Sequence, residues 1–162
     1  MITLAQPSMA LNAENVPGPD YKMWNTMRVA QSAAPSDVLG WTAKVAKGPG
    51  KLNAVVINCH GSPASLGLGT GISWPQVPLF ACLSGLVDDI YIVACNVVSF
   101  GGATDGNLFC GAIAKAAKAN VYASNASQST GLWPTIPYGK IDGFEGKVWK
   151  WRPDGSNELT SL

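Results

Sequence analysis

The chain has 162 residues, 47% apolar and 13% charged, with a formal net charge of +1. That length suits one domain with a proper core, and so balanced a charge argues against nucleic acid or an acidic membrane surface as a partner. No apolar run approaches the roughly 18 residues a membrane span needs, and Met1–Pro7 lacks the basic stretch that opens a secretory signal.

Residues 1–20, punctuated by Pro7, Pro17, Gly18 and Pro19, read as an N-terminal arm; residues 21–162 read as a single α/β hydrolase-type domain. Tyr21 to Ala30 reads as either a helix start or an edge strand. Ser36-Asp37 has the look of a helix N-cap, followed by Val38, Leu39, Trp41 and Val45 at helical spacing and stopped by Gly48-Pro49-Gly50. The short β-branched run Ala54–Cys59 reads as a buried parallel strand, and Ile90–Ala94 as another. Between them lie a Gly/Ser loop and a helix expected over Pro75 to Val87. The two strands are therefore parallel, joined by one crossover. After Cys95 comes the loop Gly101–Gly106, then a helix expected over Asn107 to Ala119 and a third parallel strand, Asn120–Ser124. Lys147–Trp151 suits an antiparallel edge strand, and the tail after it is polar. The fold class expected is α/β, three layers around a mainly parallel sheet of roughly four to six strands.

Chemistry gathers at the carboxyl ends of strands in such sheets. His60, the only histidine, follows the first run, and Cys95 ends the second. A thiol with a reference pKa of about 8.5 is mostly protonated at neutral pH, so an imidazole beside it makes it a nucleophile. The oxyanion that forms on a carbonyl needs backbone N–H donors; Gly61 allows close approach, and the Cys95 N–H is the second candidate. Cys59 directly precedes His60, so strand alternation points the two side chains apart. Cys82 and Cys110 lie in apolar patterns and read as core packing. One histidine and no zinc-type spacing imply no metal and no cofactor.

The pair of apolar strands ending in Cys59-His60-Gly61-Ser62 and Ala94-Cys95 resembles the caspase-like (clan CD) cysteine peptidases, which include gingipains, legumains, separase and self-cleaving toxin domains. The resemblance covers residues 53–125 and implies a caspase-like domain in which His60 is the base, Cys95 the nucleophile and Gly61 part of the oxyanion hole. Caspases carry Gln-Ala-Cys-X-Gly and place their histidine about 50 residues upstream. Val93-Ala94-Cys95-Asn96-Val97 and the shorter spacing here point instead to a divergent bacterial or toxin-associated type. The family pattern also places a pocket for the residue before the cut near Ser124 to Tyr138. Ser62, Ser124, Trp133 and Tyr138 are its candidate lining, with an apolar or small side chain expected there. The function expected is a thiol peptidase acting on a peptide or protein, in the cytoplasm or delivered as an effector without a classical signal peptide. The alternatives are an inactive caspase-like protein-binding domain and a flavodoxin-like domain holding a phosphate or nucleotide on Gly101–Gly106.

Overall fold

The structure, a computed structural model, describes residues 1–102, 105–129 and 132–162. In chain order its elements are β1 (Ile2–Thr3), β2 (Ser8–Ala13), β3 (Asn25–Val29), α1 (Pro35–Lys47), β4 (Leu52–Asn58), β5 (His60–Ser62) and β6 (Ser65–Gly67). A 3-10 helical segment (Trp74–Leu83) follows, then β7 (Val87–Val93), α2 (Gly106–Ala117), β8 (Asn120–Ser124), β9 (Lys140–Ile141), β10 (Val148–Trp151) and β11 (Asn157–Thr160). Seven strands form one sheet in the order β11-β10-β8-β7-β4-β2-β3. Its five parallel members are β3, β2, β4, β7 and β8, and β10 and β11 extend it antiparallel.

Strand alternation divides the core cleanly. Met9, Leu11, Val55, Ile57, Ile90, Ile92 and Val121 face the helices, packing on Leu39 of α1, Phe80 of the 3-10 segment and Phe109 of α2. Ala10, Val56, Tyr91 and Tyr122 face the other way, against Leu4, Met23, Ile136 and Ile141 from loops and the short β1–β9 ladder. The three layers are therefore helices, sheet and a covering of largely irregular chain. Tyr91 and Tyr122 stack across neighbouring strands at 4.7 Å on that second face.

Several expectations are corrected. Residues 1–20 are not a surface arm: β2 lies between β3 and β4 with all six residues buried. Ser8-Met9-Ala10-Leu11-Asn12-Ala13 is poor in β-branched residues, so its strand character comes from its place in the sheet. Ser8 Oγ donates to the Ala5 carbonyl at 2.6 Å, which satisfies one polar group there. The α1 helix begins at Pro35, with Ala34 as its cap residue and no side-chain capping bond, so Ser36-Asp37 is not its N-cap. The helix expected at Pro75–Val87 is a 3-10 segment with Pro78 inside it, because a ring without an N–H interrupts the α ladder. Lys147–Trp151 does supply an antiparallel strand, but β11 from the polar tail pairs outside it and takes the edge. Cys110 is buried as expected, whereas Cys82 is exposed.

Leu11 is fully buried in β2. Replacing it with Ala leaves a cavity and costs about 2–5 kcal/mol of stability, read as a lowered urea midpoint; a surface arm would register almost no change.

Candidate functional site

The crossovers reverse direction at β2, which carries β3 on one side and β4 on the other. A crevice opens outside the carboxyl ends of the strands at such a point. The β4–β7 ladder ends at the Asn58–Val93 pair. Two residues beyond, on the face of Val56 and Tyr91 rather than the helix face, come His60 and Cys95. Both line one cleft of about 100 Å³, together with Val16, Tyr21, Asn58 and Gln128. The structure therefore brings together the two side chains singled out in the sequence. Among the described residues, no hydrogen bond joins them directly.

Each is held separately. His60 Nε2 lies 3.1 Å from the carbonyl of Asn15, in the loop after β2. A carbonyl only accepts, so this contact puts a proton on Nε2 and leaves Nδ1 without that partner. Cys95 is half-buried, and its Sγ accepts the Gln128 backbone N–H at 3.3 Å. The Cys95 thiol donates to the Gln128 carbonyl at 3.7 Å. The chain turns immediately afterwards through Asn96, whose φ of 51° is left-handed, a conformation asparagine tolerates better than most residues. Asn96 N–H donates to the Ala126 carbonyl at 3.0 Å and its amide to Ser127 Oγ at 3.1 Å, tying the thiol's turn to the loop after β8.

Gly61 is required by space, not by φ. A Cβ there would meet the Cys95 carbonyl oxygen at 2.6 Å and the Ala94 Cβ at 2.8 Å. The backbone after the histidine thus rests directly on the backbone at the cysteine. Gly61 stands opposite Leu66 in the β5–β6 hairpin, yet Leu66 spends both its N–H and its carbonyl on Ile72, each at 2.9 Å. The Gly61–Leu66 pair is therefore of the non-hydrogen-bonded kind, and the Gly61 N–H points away from β6. The Cys95 N–H has no partner among the described residues. Cys95 lines the cleft and Gly61 does not, so the Cys95 N–H is the backbone donor there that could face a developing oxyanion.

Residues not anticipated build the floor. Asn58 Nδ2 donates to Asn12 Oδ1, Asn12 Nδ2 to the Tyr21 carbonyl, and Tyr21 N–H to Asn12 Oδ1, each at 3.0 Å. The Tyr21 hydroxyl donates to Asp142. Burial, and then the Asp142 carboxylate, push the Tyr21 phenol above its ordinary value, so it stays a neutral donor. This network anchors the loop that carries Asn15. Asn58 was within reach of sequence reasoning, being two residues before His60 on the same strand face. Asn15 was not, because it acts through its backbone.

The expected lining residues fare unequally. Trp133 borders cavities next to the cleft. Ser124 is fully buried, with its hydroxyl donating to the Glu145 carbonyl and accepting from Ala126 N–H, so it pins the loop and does not reach a substrate. Ser62 sits exposed in the β5–β6 hairpin and Tyr138 is exposed; neither lines the cleft. Of the Gly101–Gly106 loop, Ala103 and Thr104 lie outside the described residues, as do Thr130 and Gly131 of the expected pocket segment. Asp105 caps α2, accepting from Gly101 N–H at 2.7 Å and Leu108 N–H at 3.0 Å, which hold its carboxyl below the usual range. A carboxylate already fills that helix N-terminus, and a phosphate there would meet like charge. Among the described residues, no group of three or more His, Cys, Asp or Glu is placed to hold a metal ion, and no helix is long and apolar enough to cross a membrane. No family model, curated protein or solved structure matches the chain.

Burial pushes the Cys59 thiol up to about 12 and raises the Cys110 thiol as well. Iodoacetamide at pH 8 is therefore expected to modify Cys95 and the exposed Cys82 in the folded protein, leaving Cys59 and Cys110 untouched until denaturant is added. Peptide mapping of the alkylated sites checks this.

Proposed function

We propose that this chain is a cysteine peptidase of the caspase-like type, hydrolysing a peptide bond with His60 and Cys95. The observation that carries the reading is their shared cleft at the ends of adjacent parallel strands, with the imidazole's Nε2 occupied and its Nδ1 left free. His60 Nδ1 accepts the thiol proton as Sγ bonds to the peptide carbon. The carbonyl oxygen becomes negative beside the Cys95 N–H. Collapse breaks the C–N bond, and the imidazolium passes its proton to the departing amine. Water, deprotonated by His60, then hydrolyses the thioester and restores the thiol. The Gln128 N–H supports the sulfur while it carries negative charge.

Cleavage of a fluorogenic peptide library tests this. Cys95→Ala and His60→Ala are each expected to lower kcat/KM by about 1,000-fold or more, with unchanged thermal midpoints. A Cys95→Ala protein that still cleaves defeats the assignment of the nucleophile. A protein that binds peptide without cleaving it points to the binding-domain alternative. Gly61→Ala forces the Cys95 turn outward and is expected to cut activity while costing about 1–3 kcal/mol of stability, measured by activity assay and denaturant titration.

A further inference from the structure

On the helix side of the sheet, sharing no residue with the His60–Cys95 cleft, lies a groove of about 340 Å³. Trp74, Leu108, Gly111 and Ala112 give it apolar walls, and Asn107 and Lys115 supply its polar groups. We propose that this groove binds a small, elongated apolar carboxylate, with the acid group on Lys115 and the tail between Trp74 and Leu108. The site does not depend on the peptidase reading.

The α2 sequence builds one wall. Leu108, Ala112 and Lys115 recur at helical spacing and share one face, apart from the buried Phe109, Cys110 and Ile113. Asn107 and Lys115 are eight residues apart, hence about 12 Å along the helix axis. The groove is therefore long, with a polar group toward each end. Its other wall is Trp74, whose ring meets Phe109 edge-on at 5.6 Å and stays 41% exposed. Leu108 is 61% exposed. Two large apolar side chains thus border one groove in contact with water, and covering them would be favourable. Gly111 is buried in the floor, where a Cβ would stand 3.4 Å from the Gly155 carbonyl oxygen and from Trp151 Cδ1. Packing would admit an alanine, which suits a helix interior better; the glycine keeps the floor open.

Volume and polarity choose the occupant. The volume lies within the roughly 300–1,000 Å³ of small-molecule sites. Asn107 Oδ1 accepts from Trp151 Nε1 and Asn157 Nδ2, each at 2.9 Å. That fixes the amide and leaves its Nδ2 donor without a partner among the described residues. Lys115 has no ion pair among the described residues either. Its stem lies on the Gly155 backbone, where a Cβ would fall 2.3 Å from Lys115 Cε. No carboxylate lines the groove. The acids of the adjoining β10–β11 turn are engaged elsewhere, Asp154 with the Ser156 N–H and Glu158 with Arg152. The groove thus presents a cation and an amide donor on apolar walls. An anion with an apolar body satisfies all three, whereas a neutral chain leaves the charge unused and a cation is repelled.

Calorimetric titration of the protein with octanoate, octanol and octylammonium provides the test. Octanoate is expected to bind saturably at one site, about tenfold more tightly than octanol, with no uptake of octylammonium. Lys115→Glu is expected to weaken octanoate about tenfold and to admit octylammonium, a reversal that a misfolded variant would not show. Leu108→Asp is expected to abolish octanoate binding. Equal affinities for the three probes, no saturation at millimolar octanoate, or an order unmoved by Lys115→Glu overturns the site. A dimer in sedimentation velocity that Leu108→Asp dissociates assigns the face to a second copy of the chain and overturns it too. Each of these outcomes leaves the His60–Cys95 reading standing.

Discussion

The contact between the backbones of Gly61 and Cys95 is the constraint on which the site depends. Neighbouring parallel strands already lie about 4.8 Å apart, and the β4–β7 register brings the chain to Asn58 and Val93 side by side. Beyond that point the ladder stops, and nothing regular would hold the two strand exits together. A residue without a side chain lets them close further, until the space a Cβ would occupy is already filled by the Cys95 carbonyl and Ala94. Cys59 N–H reaches the Val93 carbonyl at 3.3 Å, and Ala64 N–H the Val97 carbonyl at 3.3 Å, fastening the two exits on either side of that contact.

Around this junction two other segments are recruited, each by polar groups and not by apolar packing. The loop after β2 is held through Asn12 and Asn58, and it presents the Asn15 carbonyl to the histidine. The loop after β8 is held through Asn96, Ser124 and Glu145, and it presents Gln128 to the sulfur. Glu145 N–H donates to the Gln128 side-chain oxygen at 3.1 Å, while the Gln128 amide donates to the Ala126 and Glu145 carbonyls. Because buried polar groups are costly when unpaired, these loops have few alternative positions. Rigidity at the cleft thus comes from hydrogen bonds, on a sheet whose strength comes from apolar burial on both faces.

The elements read best from sequence were those whose signal is local. Ala54–Cys59, Ile90–Ala94 and Asn120–Ser124 are short β-branched runs between turn residues, and all three occupy parallel strands of the central sheet. Asp105, at the end of the loop that precedes the expected helix, caps it. The misread segments lacked such a signal. β2 is made of small and polar residues and is a strand because β3 and β4 bond to both its edges. β11 is a polar tail until β10 offers it an edge. Ser124 resembled a lining residue because its position in the chain was right, yet its side chain is enclosed by the very loop it pins.

By itself the sequence determined the α/β class, the parallel relation of the two central strands and the emergence of His60 and Cys95 from their ends, since periodicity of two and β-branching act over a few residues. Only the tertiary structure decided what surrounds those two groups. The Asn15 carbonyl and the Gln128 N–H arrive from loops far away along the chain. Their positions follow from which buried polar groups can satisfy one another once the sheet has formed, and no local pattern of residues encodes that pairing.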